Sequence, residues 1–241
     1  SDSKLSTEQI HIREWGNANR IWKMHGTVLV RQLEQLENDK AVSFSLDGCL
    51  VCTKSEQKLA MNSKDWRWKF PEVPHRLVHL HNQGYTIVII TSECHIGDKH
   101  STEAITFMKR IESIISSIYN IPIVVLASTY NDSQRKPQTL IWELFEKWNS
   151  KQVQHLLHVG NNAGREGDDN CEDRQFAMNR NVKFESPEEF FLGKRPEPFS
   201  IPFFPKSVLA VETEFQWKDH ISNSQELILL VGCPSSGKTW K

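Results

Sequence analysis

Short apolar runs set apart by segments of helical spacing restrict what this chain can fold into more than any other feature of its sequence. Ala41 to Leu46 (AVSFSL), Tyr85 to Ile90 (YTIVII), Ile123 to Ala127 (IVVLA) and Leu156 to Val159 (LLHV) have strand length. The second and third are rich in β-branched residues and almost wholly apolar, as strands covered on both faces are. Around them lie stretches with helical periodicity: Pro74 to Gln83 with Gly84 just past its end, Ser101 to Ser117, Thr139 to Trp148, and Asp173 to Asn179. Ser186-Pro187-Glu188-Glu189 is a capping box that opens a further helix. Strands separated by helices predict an α/β fold with a doubly wound parallel sheet. Trp22 to Arg31 reads as one short strand leading into that sheet.

The same pattern divides the chain. Residues 1–39 form a lead-in, 40–193 the α/β domain, and 194–225 a linker. The stretch Lys194 to Pro205 holds four of the ten prolines, the composition of a semi-rigid spacer. Residues 226–241 open a second unit, in which Glu226 to Val231 (ELILLV) reads as a buried strand running into a P-loop, GCPSSGKT. There Gly232 and Gly237 would let backbone N–H groups cradle the phosphates of ATP. Lys238 would neutralise those phosphates and Thr239 would bind Mg²⁺. No helix or acidic strand follows the motif, so kinase activity is not expected of these residues alone.

Bulk properties exclude some classes. Hydrophobic residues make up 38% and charged residues 24%, a soluble globular composition. A formal charge of −1 gives no whole-molecule attraction to nucleic acid, so any such contact must come from local basic patches. Five cysteines, an odd count without a signal peptide, predict reduced thiols in an intracellular compartment. No run approaches the roughly 18 apolar residues of a membrane helix, so a soluble chain with no membrane partner is expected. The chain opens at Ser1 rather than Met, as a fragment of a longer protein would.

Ligands of parallel sheets bind beyond the carboxyl ends of the strands. Four such ends carry polar residues: Ser45-Leu46-Asp47-Gly48, Thr91-Ser92-Glu93, Lys136 ahead of a helix, and Gly160-Asn161-Asn162. In this order they resemble the HAD-superfamily (haloacid-dehalogenase-type) phosphatases, whose pattern is an Asp-x-Asp-Gly loop, a Thr or Ser, a Lys and a terminal acidic loop. In that pattern the first Asp attacks phosphorus and the second serves as general acid and base. The Thr and Lys hold phosphoryl oxygens, and the last carboxylate joins the first in holding Mg²⁺. Carried over, the resemblance makes Asp47 the acid and base, with Thr91 and Lys136 on the phosphoryl group.

The likeness extends further. Trp66 to Pro74 (WRWKFPEVP), Arg135-Lys136-Pro137, Ala163-Gly164-Arg165, Cys171 to Asn179 (CEDRQFAMN) and Pro187 to Leu192 (PEEFFL) closely resemble the polynucleotide kinase 3′-phosphatase family. That resemblance implies hydrolysis of 3′-phosphates at DNA ends, ATP-dependent phosphorylation of 5′-hydroxyls by a second domain, Mg²⁺ as cofactor, and a place in the nucleus beside DNA-repair scaffold proteins. It also implies a small cap insertion after the first strand. Arg165 on the terminal loop, and Trp66 and Trp68 in the cap, become candidates for substrate contact.

Two departures stand out. Ser45 occupies the nucleophile position, and Asn161 the first acidic position of the terminal loop. Both lost carboxylates are expected Mg²⁺ ligands, and the remaining protein ligand would be the backbone carbonyl of Asp47. Mg²⁺ depends on hard anionic oxygens, so its hold should weaken sharply. Asp168, Asp169, Asp173 and Glu93 are the acids nearest in sequence that could support a cation, with Asp168 and Asp173 at positions acidic in the family. Asp98 replaces a basic residue, and Cys49 a Thr. Three readings follow: a pseudophosphatase that retains DNA 3′-end binding, an active 3′-phosphatase using Ser45 or a recruited acid, and a non-catalytic interaction scaffold.

The remaining features read as structural. Cys49-x-x-Cys52 has no second pair at zinc spacing. Trp142 and Trp148 lie on a helix and read as packing residues. The ten histidines are scattered, and His75, His79 and His81 near one helix read as solvated surface.

Overall fold

The computed structural model describes residues 21–31, 38–118, 121–148 and 152–202. The chain divides after Pro202 into two units, and the described residues belong to the first. The expected strand at Glu226 to Val231, the P-loop residues Gly232, Gly237, Lys238 and Thr239, and most of the linker lie outside them.

The elements are β1 (Trp22–His25), β2 (Val28–Arg31), β3 (Lys40–Phe44), β4 (Val51–Cys52), β5 (Arg67–Trp68), α1 (Glu72–Asn82), β6 (Tyr85–Ser92), α2 (Thr102–Ser116), β7 (Ile123–Ser128), α3 (Leu140–Trp148), β8 (Gln154–Val159), α4 (Glu172–Arg180), β9 (Lys183–Glu185) and α5 (Pro187–Leu192). One sheet of seven strands runs in the order β1-β2-β7-β6-β3-β8-β9. From β7 to β9 every pair is parallel. The chain therefore winds from β3 through β6 to β7 and returns to β8 on the other side of β3. That return places the switch point, where open α/β sheets bind ligands, at the carboxyl end of β3.

The apolar runs form this sheet because each buries both faces. Val42, Phe44, Ile87, Ile89 and Val125 pack into a layer with Val73 and Leu77 of α1, Phe107, Ile111 and Ile114 of α2, and Phe191 of α5. Ala41, Val88, Ile90, Val124 and Leu126 face the other way, onto Ile141, Trp142 and Phe145 of α3 and Phe176 of α4. Helix ends follow the expected chemistry. Ser101 caps α2 by accepting from Ala104 N, and Ser186 with Glu189 forms the capping box of α5. Between β3 and α1 the chain makes the small β4–β5 ribbon, whose connecting loop is gathered around Asp65. That carboxylate accepts from Ser55 N, Ser55 Oγ and Met61 N.

The segment expected to be one strand, Trp22 to Arg31, is two. Gly26, at φ +59°, turns the chain in a two-residue loop, and His25 pairs with Val28. Positive φ at the first loop position is what tight hairpins require, and glycine meets it without strain. β2 then pairs antiparallel with β7, so part of the lead-in is the edge of the main sheet. The buried Trp22 indole donates to Glu112 at 2.8 Å and meets Phe107 edge-on.

Removing a fully buried large side chain costs about 3–5 kcal/mol. Trp22→Ala should therefore lower the urea midpoint of the whole α/β unit by a corresponding amount, followed by circular dichroism. An unchanged midpoint would mean that the hairpin is a detachable leader.

Candidate active site

The end of β3 carries Ser45, whose N–H continues the ladder by donating to Val159 O at 2.9 Å. The chain then folds back on itself: Leu46 O accepts from Leu50 N and Val51 N, and Gly48 sits at φ +74°. A Cβ at Gly48 would fall 2.6 Å from Asn161 Nδ2, so only glycine lets the terminal loop lie this close. The Ser45 hydroxyl consequently donates to Asn161 Oδ1 at 3.3 Å. At the corner where the family pattern places two carboxylates, two neutral side chains hydrogen-bond to each other.

Asp47 is held from an unexpected direction. Arg110, in the middle of α2 and only 4% exposed, reaches across with both terminal nitrogens, Nη1 bonding Asp47 Oδ2 at 3.0 Å and Nη2 bonding Oδ1. The Arg110 Nε is buried without a partner. Next to this pair, Thr91 Oγ1 donates to Glu93 Oε1 at 2.8 Å. Burial, and then the negative charge of Asp47, push the Glu93 carboxyl up to about 8, so it carries its proton at neutral pH.

Lys136 is 5% exposed, with Nζ 3.0 Å from Ile90 O and 2.5 Å from Asp173 Oδ1. Asp173, fully buried on α4, also accepts from Asn162 N through Oδ2 at 3.0 Å. Burial alone would raise its carboxyl, but the charge of Lys136 and the surrounding donors hold it well below the usual carboxylate range. Gly160 makes room for this carboxylate, since a Cβ there would lie 2.5 Å from Asp173 Oδ2. Ser45, Asp47, Thr91, Lys136, Asn161 and Asp173 all line one cavity of about 390 Å³. A second cavity of about 330 Å³, lined by Leu59, Met61, Phe107 and Arg110, shares Asp47 and Glu93 with it.

Four expected site residues lie elsewhere. Arg165 is not free to meet a substrate: Nε and Nη2 bond Asp168, and Nη1 bonds Glu188 at 2.8 Å. Asp168 is turned inward to the same guanidinium and to the backbone N–H groups of Ala163 and Arg165 at 3.1 and 3.0 Å. It does not line the cavity. The two residues clamp the terminal loop to α5. Trp66 and Trp68 pack edge to face at 5.3 Å on the core, with Trp66 Nε1 donating to Ser113 Oγ, and neither lines either cavity. Among the described residues, no group of three or more His, Cys, Asp or Glu side chains is placed to hold a metal ion. Cys49 is buried, donating to Val159 O, and burial raises its thiol well above the ordinary range.

Two groups escaped the sequence reading. Arg110 was findable as a charge inside the apolar stripe of Phe107, Ile111 and Ile114, a position that a buried helix face gives only to a paired cation. His155 and His158, given no role in the sequence, are buried on β8, while His75 and His79 are exposed as expected and His81 is half-buried.

Comparison with known proteins gives this geometry a family. Residues 40–191 match the Polynucleotide kinase 3 phosphatase family. The Bifunctional polynucleotide phosphatase/kinase of Schizosaccharomyces pombe is 36% identical over 224 residues, covering 90% of this chain and 54% of that protein. A polynucleotide 3′-phosphatase of Arabidopsis thaliana is 31% identical over 196 residues, covering 73% of this chain and 28% of that protein. The chain thus spans about half or less of the length of these relatives. A Mesorhizobium loti structure described as HAD-like superposes with a TM-score of 0.51 at 13% identity, over 66% of this chain and 78% of that one, a likeness of fold. Helices on both faces of a parallel sheet, polar strand ends gathered at its switch point, and these matches agree: the chain belongs to the polynucleotide kinase 3′-phosphatase family.

Proposed function

We propose that this chain binds 3′-phosphorylated DNA ends but has lost, or nearly lost, the phosphatase turnover of its family. The observation that carries this reading is the Ser45–Asn161 hydrogen bond at the end of β3. An aspartyl-phosphate needs a carboxylate there, and Ser45 has only a hydroxyl. To act instead as a nucleophile, that hydroxyl would have to lose its proton to a base. Its partner is an amide oxygen, which is no base, and the Asp47 carboxylate is engaged by Arg110.

Mg²⁺ does not fit this donor set. The corner offers a hydroxyl, an amide and the backbone carbonyl of Asp47, none of them charged, whereas Mg²⁺ sheds water reluctantly and favours hard anionic ligands. The family resemblance assigns the phosphate to Lys136, which lines the cavity while paired with Asp173. Two of its N–H groups are used by Ile90 O and Asp173, and one is left for the cavity it lines. Thr91 lies on the same wall, with its hydroxyl hydrogen given to Glu93. Setting this in the nucleus, beside repair scaffold proteins and an ATP-using kinase domain, belongs to the same proposal and rests on family membership alone.

Binding and turnover measurements test the reading, and a stability measurement tests the buried Glu93. A 3′-phosphorylated oligonucleotide should bind about tenfold or more tightly than its 3′-hydroxyl counterpart without Mg²⁺, the yield of one charge-assisted contact. Equal affinities would leave only a scaffold. Release of phosphate with Mg²⁺ should lie at background, and Ser45→Asp with Asn161→Asp should raise it by on the order of 10³-fold or more. Ready turnover by the parent chain, abolished by Ser45→Ala, would overturn the proposal. Finally, the unfolded chain releases the Glu93 proton near pH 4.5 and the folded chain near 8, so this group increasingly favours unfolding as pH rises through that window. Glu93→Gln should flatten the loss of Tm between about pH 5 and 8; an equal or steeper loss would contradict the buried, protonated carboxyl.

A further inference from the structure

Behind the cavity, in the layer between the sheet and α3 and α4, a chain of buried polar groups runs away from Lys136. Asp173 Oδ1, which bonds Lys136, also lies 3.4 Å from His158 Nε2. His158 Nδ1 is 2.7 Å from Ser43 Oγ, and Ser43 Oγ is 2.7 Å from His155 Nε2. Ser43 and His158 are register partners on β3 and β8. Trp142 stacks on the His155 ring at 3.8 Å and Phe176 meets the His158 ring edge-on. All five polar residues are buried, where an unmatched donor or acceptor would be costly.

Hydrogen-bond capacity fixes the direction of this chain. The Asp173 carboxylate can only accept, so His158 Nε2 carries the hydrogen. In a neutral ring Nδ1 is then bare and must accept from the Ser43 hydroxyl. Having donated its one hydrogen, Ser43 Oγ accepts from His155 Nε2–H. His155 Nδ1 is left bare, and it is this atom that is buried without a partner. Burial lowers both rings, His155 to about 3, in keeping with neutral imidazoles.

We infer that Ser43 and His158, backed by His155, are positioning residues that set Lys136 for anion binding by acting through Asp173. The His158 N–H takes up part of the charge on Oδ1, so that Lys136 is not wholly spent on its carboxylate partner. It also fixes the plane of the carboxylate whose other oxygen holds Asn162 N. None of the three touches the cavity. The inference rests on the reading that Lys136 receives a terminal phosphate.

The test uses the full chain and two variants, His158→Phe and Ser43→Ala, the second a smaller change should the first fail to fold. Side-chain ¹⁵N spectra should show both His155 and His158 as Nε2–H tautomers, unchanged between about pH 6 and 8. In Ser43→Ala the His158 Nδ1 resonance should move, its donor gone. The Lys136 Nζ resonance should shift in both variants, without any ligand present. The preference for 3′-phosphate over 3′-hydroxyl ends should fall about three- to tenfold, the reach of one hydrogen bond. A His158 ring found as the Nδ1–H tautomer or charged would overturn the inference. So would a folded variant with an unmoved Lys136 resonance and an undiminished preference. If the parent shows no 3′-phosphate preference, the functional reading fails instead, while the tautomers and the Lys136 resonance still decide the relay.

Discussion

The buried ion pair between Lys136 and Asp173 is the contact on which the rest of the site depends. Placing two charges where they are 5% and 0% exposed is expensive, and such a pair persists only when its remaining donors and lone pairs are met. Here they are met by groups from several elements: Ile90 O at the end of β6, Asn162 N on the terminal loop, and His158 on β8. Removing either partner would leave the other charge uncompensated, at a cost on the order of 3–5 kcal/mol. The pair therefore ties the end of β6 to β8 and the terminal loop that follows it.

Around this anchor the charges lining the cavity are matched. Arg110 meets Asp47, Arg135 meets Glu172 at 2.6 Å, and exposed Lys58 meets Asp169 at 2.8 Å. The family pattern places two carboxylates at this corner for a divalent cation to balance. With serine and asparagine there those two charges are absent, and the one acid of the loop is paired with the protein's own arginine. The substitutions at 45 and 161 and the grip of Arg110 on Asp47 thus describe one electrostatic state rather than separate oddities.

Most of the parallel sheet was legible because its strands bury both faces and so carry no polar alternation. Tyr85 to Ile90 and Ile123 to Ala127 could hardly be anything else. The hairpin at Trp22 to Arg31 was not, because its turn depends on a single glycine and its partner, β7, lies far along the chain. Within the site, the residues at strand ends were legible from their position: Ser45, Asp47, Thr91, Lys136 and Asn161 do meet. Arg165 and Asp168 were named from the family pattern, and sequence spacing does not reveal that they pair with each other. Ser43, His155 and His158 were illegible for the opposite reason. Isolated polar residues in strands look like solvent-facing positions until pairing sets them side by side.

The antiparallel edge has a consequence for synthesis. Val28 pairs with Ser128 and Arg31 with Val125, so the hairpin leaves the ribosome long before the strand it completes. At about 5–20 residues per second, that interval is on the order of 5–20 s. Throughout it, Trp22, Leu29 and Val30, buried in the folded unit, have no core to cover them, and an isolated two-stranded hairpin is marginal in water. Until β7 is made, β2 has no strand of its own sheet to pair with on that side.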